Sequence, residues 1–119
     1  MAITKSKSKE QIERLVNIFD NHINEYKGKD YKEATVRIDF INPFLSALGW
    51  DVDNKLSLPE SYREVIHEDK IKIDDSSRAP DYCITINGNK KFYIEAKKPS
   101  ISLKDSISSA YQLRRYGWN

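Results

Sequence analysis

The sequence contains very little cysteine, glycine and proline, and it has no long run of apolar residues. Its 119 residues include one cysteine, four glycines and four prolines. A single cysteine excludes an internal disulfide, which is typical of a cytoplasmic protein. No apolar run follows the N-terminal lysines, so neither a secretory signal nor a membrane-spanning helix is predicted. We therefore expect a cytoplasmic protein with no membrane partner.

The sequence also lacks a strong excess of charge of one sign. Lysine and arginine number 20 and aspartate and glutamate 18, so the formal net charge is +2. This balance alone does not predict nucleic-acid binding. A chain of this length is predicted to form a single domain over residues 1–119, with an N-terminal helix and turn at 1–30 and the core at 31–119.

Helical spacing of apolar residues predicts a first helix in the N-terminal part. Ser8 has a glutamine three residues later, which is a capping pattern, so residues 1–7 are expected to be frayed. The helix should end near Tyr26, because Gly28 follows it.

A second helix is predicted from an apolar stripe within residues 40–48, and Gly49 suits the position just after its end. Pro43 lies inside this helix and removes one backbone donor. We therefore expect a kink or a loosened turn near Asp39. A third helix is predicted to begin at Ser102.

Residues 64–73 are expected to form one or two strands, and residues 74–78 a polar loop. Two short strands around a turn are predicted at 81–97. Apolar residues alternate there with other residues, and this period of two indicates one buried and one open face. The apolar positions are Tyr82, Ile84, Ile86, Phe92, Ile94 and Ala96.

The pairing register decides whether the charged ends of this hairpin meet. A two-residue loop at 88–89 would pair Ile84 with Tyr93 and disrupt the apolar face. A three-residue loop at 88–90 would instead pair Ile84 with Ile94 and Asp81 with Lys97. We therefore predict the three-residue loop.

Two carboxylates and a lysine at the mouth of a hairpin are the components of a divalent-metal phosphodiesterase site. Asp81 and Glu95 would supply the hard oxygen ligands that Mg²⁺ prefers, and the carbonyl of Ala96 is a further candidate ligand. Lys97 would hold or help to deprotonate the attacking water. The alternative interpretation is an exposed salt bridge between Asp81 and Lys97.

Three stretches in order resemble the PD-(D/E)xK nuclease superfamily. Pro80-Asp81 followed by Glu95-Ala96-Lys97 resembles its nuclease motif. Residues 112–116 resemble the QxxxY motif of Type I restriction subunits, and residues 39–51 are similar to the opening helix of N-terminal nuclease domains in restriction proteins. The resemblance covers residues 33–117.

The resemblance implies an α/β (α+β) fold with a restriction-endonuclease-like core, in which helices flank a mixed sheet of three or four strands. The last strand and helix of such a core would follow Asn119, so a core truncated at its C-terminus is expected. It also implies Mg²⁺-dependent cleavage of double-stranded DNA, with Mn²⁺ as a substitute ion. The expected partners are further domains or subunits of a restriction–modification enzyme, such as methyltransferase, specificity or motor parts.

The resemblance further implies roles for single residues. An acid on the opening helix would contribute to the metal site, and Glu33 is the candidate with Asp39 behind it, although Glu33 could instead cap the helix with Asp30. Gln112 and Tyr116 would contact the substrate or brace the active site; they could also form a solvated helix face. Three basic residues would contact DNA phosphates: Lys98, Arg114 and Arg115.

A second interpretation belongs to a different class of protein. A nuclease-like fold can serve as a DNA-binding or docking domain without catalysis, because fold does not fix function. In that case DNA binding would not depend on a metal ion. A nuclease for repair or for RNA is a third possibility.

Overall fold

The computed structural model describes residues 3–68, 71–73 and 76–100. They form two compact units, one of residues 3–52 with 96–100 and one of residues 53–95 apart from the gaps. Helices occur together with antiparallel strands, which confirms the predicted α/β class. Within the described ranges, no helix is long and apolar enough to cross a membrane.

Helix α1 spans Lys5–Asn21 and begins earlier than the sequence pattern predicts. Its N-cap is Thr4, whose side-chain oxygen accepts a hydrogen bond from the backbone N–H of Lys7 over 3.2 Å. The predicted cap at Ser8 is therefore wrong, because Thr4 satisfies the first free N–H groups one turn earlier. After one intervening residue, helix α2 spans Ile23–Tyr26 and ends where predicted.

The second helical segment contains a turn of different geometry. Helix α3 spans Glu33–Val36, a π-helix spans Arg37–Ile41, and helix α4 spans Asn42–Ala47. Pro43 cannot donate to the carbonyl of Asp39, so the backbone there cannot make the regular α-helical hydrogen bond. The loosened turn predicted near Asp39 is confirmed and is a π-helical turn.

Gly49 ends this segment in the predicted position. Its φ of 99° lies in the left-handed region. The N–H of Gly49 donates to the carbonyl of Ser46 over 3.0 Å, and the N–H of Trp50 donates to the carbonyl of Leu45 over 3.1 Å. These two bonds are the Schellman arrangement, which satisfies carbonyls at the end of the helix.

Aromatic rings hold the helical unit together. The centroid of the Tyr26 ring lies 5.6 Å from that of Phe19, 4.8 Å from that of Phe40 and 5.0 Å from that of Tyr31. The rings of Phe19 and Phe40 also meet edge to face at 5.7 Å. The cluster therefore joins α1 and α2 to the π-helix, and the buried Val36 extends this core.

The other unit contains two small sheets. Strands β1 (Val65–His67), β4 (Tyr82–Ile86) and β5 (Asn89–Ile94) form an antiparallel sheet in the order β1-β4-β5. Strands β2 (Ile71–Ile73) and β3 (Ser76–Arg78) pair separately. Residues 64–73 were expected to form one or two strands, and they contain both β1 and β2. The loop predicted over residues 74–78 is wrong at β3, since ladder hydrogen bonds use the backbone and need no apolar side chains.

The turn between β4 and β5 differs from the predicted three-residue loop. Asn87 has a φ of 53° and Gly88 a φ of 79°. Two left-handed residues in succession form a type I′ turn, for which Asn-Gly is the preferred pair. As a result Ile84 pairs with Phe92, and the predicted pairing with Ile94 is wrong.

A β-bulge follows the turn. Thr85 pairs with Lys90 and Ile84 with Phe92, so Lys91 is an additional residue in β5. A bulge of this kind bends the strand and increases its twist. Beyond the bulge the register differs from the predicted one by two residues, which leaves each side chain on its predicted face.

Strand β4 is buried on both faces. Cys83 and Thr85, on the face predicted to be open, are 0% and 1% exposed. Tyr82 and Ile84, on the opposite face, are also fully buried. The predicted open face is therefore wrong at these two positions of β4. In addition, β4 is the central strand of its sheet and pairs on both edges. The free thiol of Cys83 is therefore buried.

Candidate active site

Asp81 and Glu95 lie at the same end of the β4–β5 hairpin, away from its turn. The last pair of the ladder is Tyr82 with Ile94; Asp81 precedes this pair and Glu95 follows it. One further step of the same register would bring the two acids opposite each other, with Cα atoms about 5 Å apart. Both residues are half-buried. The acid that flanks the last pair on β5 is therefore Glu95, and the predicted pairing of Asp81 with Lys97 does not fit this register.

Glu68, the residue that follows strand β1, contacts the backbone of Asp81. The N–H of Glu68 donates to the carbonyl of Asp81 over 3.0 Å. His67 pairs with Tyr82 in the ladder, and their ring centroids are 5.4 Å apart. Pro80, the residue before Asp81, has a fully buried side chain. Asp81 is thus held between two strands by backbone contacts that do not use its carboxylate.

The alternation of side chains along each strand indicates on which face of the sheet the two acids lie. Neighbouring residues in a strand point to opposite faces, so Asp81 lies on the face of Cys83 and Glu95 on the face of Tyr93. Cys83 and Tyr93 are themselves paired across the two strands. Opposed residues share a face. The two carboxylates therefore belong to one side of the sheet.

Two opposed carboxylates favour a cation, because like charges at this spacing repel each other. Their oxygens are the hard donors that Mg²⁺ prefers, and Mg²⁺ in proteins is usually bound by one or two carboxylates together with waters and substrate phosphates. Among the described residues, no three or more His, Cys, Asp and Glu side chains are grouped to hold a metal ion. The donor set of Asp81 and Glu95 therefore fits a hydrated, phosphate-binding ion and not a closed protein cage.

The residues that follow Glu95 differ in exposure. Ala96 is 2% exposed, Lys97 is exposed and Lys98 is half-buried. They group with the helical unit, and Asp81 and Glu95 with the sheet unit.

The two acids of the opening helix have different surroundings. Glu33 is half-buried in the first turn of α3. The N-cap of α3 is Lys32, without a side-chain hydrogen bond, so the predicted capping by Asp30 is not observed. Asp39 accepts a hydrogen bond from the hydroxyl of Tyr31 over 2.8 Å. Asp39 therefore has a structural contact within the helical unit.

Four predicted substrate-binding residues lie outside the described ranges: Gln112, Arg114, Arg115 and Tyr116. The third helix, predicted from Ser102, lies outside them as well. The contribution of Glu68 to the position of Asp81 was not predicted from the sequence. Glu68 could have been identified only from the pairing of β1 with β4. That pairing is long-range, and no local sequence pattern indicates it.

These features define an α/β domain with a pair of acids at one end of an antiparallel hairpin. A family model described as "Type I restriction enzyme R protein N terminus" matches residues 63–118. Over 112 residues, or 92% of the chain, the sequence is 36% identical to the Type II restriction enzyme and methyltransferase RM.Eco57I of Escherichia coli. The chain spans 11% of the length of that relative. No solved structure gives a significant match.

The two matches agree on one family. The chain belongs to the N-terminal domains of restriction enzymes. The family match includes the whole β4–β5 hairpin with both acids.

Proposed function

We propose that this chain is the Mg²⁺-dependent endonuclease domain of a restriction–modification system and hydrolyses phosphodiester bonds of double-stranded DNA. The observation that supports this most is the register of the hairpin, whose last pair, Tyr82 with Ile94, is directly flanked by Asp81 and Glu95. Pro80-Asp81 and Glu95-Ala96-Lys97 then supply the PD-(D/E)xK pattern at one end of the sheet.

In this proposal each residue has a definite role. The carboxylates of Asp81 and Glu95 and the carbonyl of Ala96 bind the ion, and Glu33 is a further candidate ligand. Bound Mg²⁺ would offset charge on the phosphate and lower the pKa of a water ligand. The ammonium of Lys97 holds the attacking water and stabilises the charge that develops on the phosphate. In-line attack leaves a 5′-phosphate and a 3′-hydroxyl.

DNA contacts and partner domains complete the proposal. Lys98, Arg114 and Arg115 contact phosphates, which gives a salt-dependent affinity without base recognition. Gln112 and Tyr116 contact the substrate or brace the active site. The relative is described as both a restriction enzyme and a methyltransferase. We therefore propose that this domain acts together with methyltransferase and specificity domains or subunits, with a motor part if the parent is of Type I.

Calorimetric titration of Mg²⁺ and Mn²⁺ into the chain tests the metal site. We expect Glu95→Gln and Asp81→Asn to weaken binding by roughly tenfold or more, because each removes one charged donor. Asp53→Asn is the matched control, since Asp53 is an exposed acid of the same unit. Equal affinities in the wild type and both site variants would reject the proposed ligands.

The same variants test the second interpretation, a DNA-binding or docking domain without catalysis. Under it, a labelled duplex would bind equally well with Mg²⁺ and with EDTA, and Asp81→Asn would leave this affinity unchanged. Under the nuclease proposal, Mg²⁺ should strengthen DNA binding in the wild type and not in Asp81→Asn, because Asp81 would hold the ion and the ion would offset charge on the phosphate.

A further inference from the structure

The residue that follows strand β1 has a backbone conformation that glutamate seldom adopts. Glu68 has a φ of 53°, which lies in the left-handed region. In this region Cβ approaches the following carbonyl oxygen, so glycine and asparagine are found there more often than glutamate. Backbone strain of this kind persists where the surrounding structure holds it, and it is frequent at functional sites. The backbone contacts of Glu68 are therefore of functional interest.

The N–H of Glu68 makes a hydrogen bond to Asp81, the first acid of the candidate active site. It donates to the carbonyl oxygen of Asp81 over 3.0 Å. The ladder of β1 and β4 ends with the pair His67 and Tyr82, so Glu68 and Asp81 stand one step beyond it in the same register. Both residues lie just outside the strands themselves. This bond therefore continues the ladder by one step and holds the backbone of Asp81.

The left-handed φ allows β1 to end without loss of this bond. Rotation about the N–Cα bond of Glu68 moves its side chain and the chain that follows, but it leaves the N–H in place. An extended φ would continue the strand, whereas a φ of 53° turns the chain directly after the donor. The conformation of Glu68 therefore combines the end of a strand with a hydrogen bond to Asp81.

The side chain of Glu68 has different surroundings from the two acids of the site. It is exposed, whereas Asp81 and Glu95 are half-buried. In the part of the chain that the structure describes, no three His, Cys, Asp and Glu side chains are grouped to hold a metal ion. This arrangement assigns the contribution of Glu68 to its backbone N–H and not to its carboxylate.

We propose that Glu68 is a positioning residue, whose backbone N–H fixes Asp81 for binding of the metal ion. This inference rests on the proposed function, in which Asp81 and Glu95 hold Mg²⁺. Asp81 lies just before β4, and a residue at the end of a strand keeps more conformational freedom than one inside it. The bond from Glu68 restricts this freedom before the ion binds, so less conformational entropy is lost on binding. Partners of this kind raise the metal affinity of a site without contacting the metal.

Calorimetric titration of Mn²⁺ into variants of Glu68 tests this role. Glu68→Pro removes the N–H and fixes φ at about −65°, so we expect it to weaken binding by roughly tenfold. Glu68→Asn keeps the N–H and suits the left-handed region, and both variants lack the carboxylate. We therefore expect Glu68→Asn to retain the metal affinity that Glu68→Pro loses.

Ser57 provides a matched control for the loss of a left-handed residue. Its φ is 56°, and its N–H donates to the carbonyl of Asn54 over 3.0 Å. It is an exposed residue of the sheet unit. Ser57→Pro therefore removes the same kind of bond and conformation, with Asn54 in place of Asp81 as the acceptor. We expect both proline variants to lower the Tm by a few degrees, whereas Mn²⁺ affinity should fall in Glu68→Pro alone.

Three results would overturn the proposal. Equal affinities in Glu68→Pro and the wild type would show that the bond does not position the ligand. Equal losses in Glu68→Pro and Glu68→Asn would assign the effect to the carboxylate, and equal losses in Glu68→Pro and Ser57→Pro would assign it to stability. If Glu68→Pro does not fold, Glu68→Val replaces it in the same comparisons, because a β-branched side chain disfavours the left-handed region.

Failure of this proposal can be distinguished from failure of the nuclease proposal. If Asp81→Asn and Glu95→Gln weaken Mn²⁺ binding but Glu68→Pro does not, only the positioning role fails. If the two acid variants bind Mn²⁺ as the wild type does, the proposed metal site itself is rejected, and the positioning role is rejected with it.

Discussion

At the scale of single residues, Tyr31 connects the turn after α2 to the π-helix. Its ring packs on Tyr26, and its hydroxyl donates to Oδ2 of Asp39. Burial raises the pKa of Tyr31 above its ordinary value of 10.0, and the hydrogen bond to Asp39 and the charge of that carboxylate raise it further. The phenol therefore stays protonated in the folded protein at pH values where the unfolded chain loses this proton.

Tyr31→Phe tests this contact. We expect the variant to lose about 0.5–1 kcal/mol in the free energy of unfolding at pH 7, because it removes one hydrogen bond on the exposed side of the unit. A raised pKa in the folded state gives stability that is complete below the ordinary pKa and is lost as the pH rises above it. The wild type should therefore lose more stability than Tyr31→Phe between pH 9 and pH 11.

Urea unfolding at pH 7, 9 and 11 measures both effects. Asp39→Asn is a useful companion variant, because its amide oxygen can still accept the hydrogen bond while the charge is removed. Parallel pH dependences in the wild type and in Tyr31→Phe would contradict the assignment.

Gly88 occupies a position of the hairpin turn that favours glycine. Its φ of +79° disfavours any residue with a Cβ, and a Cβ built there would lie 2.9 Å from Cε1 of Tyr62. We expect Gly88→Ala to lower the free energy of unfolding by about 1–3 kcal/mol in denaturant titration. The double variant with Tyr62→Ala should recover the steric part only.

Gly28→Ala provides the matched control for this prediction. Gly28 has no positive φ, and its nearest neighbour is the carbonyl oxygen of Glu25 at 3.1 Å from the added Cβ. The cost at this position should therefore be smaller than at Gly88. An equal or larger cost at Gly28 would contradict the assigned strain in the hairpin turn.

At the scale of secondary structure, local backbone conformation could be predicted where a single residue determines it. Pro43 and Gly49 were assigned correctly from the sequence, because a missing N–H and a left-handed φ act on adjacent backbone. The hairpin register was assigned wrongly, because the prediction used the apolar faces and charges in place of the strong Asn87-Gly88 turn signal.

The burial of β4 could not be predicted from the hairpin alone. Cys83 and Thr85 are compatible with either a solvated or a buried face, and only the pairing with β1 covers that edge of β4. This pairing joins residues 15 to 19 positions apart in the chain, and no local pattern specifies it.

Thr85→Val tests the role of the central strand. The hydroxyl of Thr85 donates to the carbonyl of Arg63, and valine keeps the shape while removing the donor. We expect a loss of about 1–3 kcal/mol in the free energy of unfolding, because the carbonyl of Arg63 is left without this partner. Thr85→Ser keeps the hydroxyl, so a larger loss in Thr85→Ser than in Thr85→Val would contradict this account.

At the scale of the whole molecule, the sequence motifs predicted the family. The family match and the relative agree with the restriction-enzyme assignment made from the sequence. The motif singled out Asp81 and Glu95, but the position of Glu95 beside the last pair of the ladder depends on a register that differs from the predicted one by two residues. The single-domain organisation stays a prediction.

Lys97 and Lys98 allow a catalytic lysine to be distinguished from a phosphate contact. In the chain or a longer protein that contains it, we expect Lys97→Ala to lower the rate of DNA cleavage by 100-fold or more, in the range of ~10²–10³ known for one transition-state donor. Lys98→Ala should weaken DNA affinity with a much smaller effect on the rate at saturation. Single-turnover cleavage measures both values, and undiminished cleavage by Lys97→Ala would exclude its proposed role.

The central claim is tested most directly by cleavage of supercoiled plasmid DNA with Mg²⁺, with EDTA, and with Asp81→Ala in Mg²⁺. The assay uses the chain and a longer protein that contains it. We predict nicked plasmid in the wild-type reaction with Mg²⁺, no product with EDTA, and no product with an Asp81→Ala protein whose circular dichroism is unchanged. Cleavage that survives EDTA or the loss of Asp81 would contradict the proposed metal-dependent nuclease.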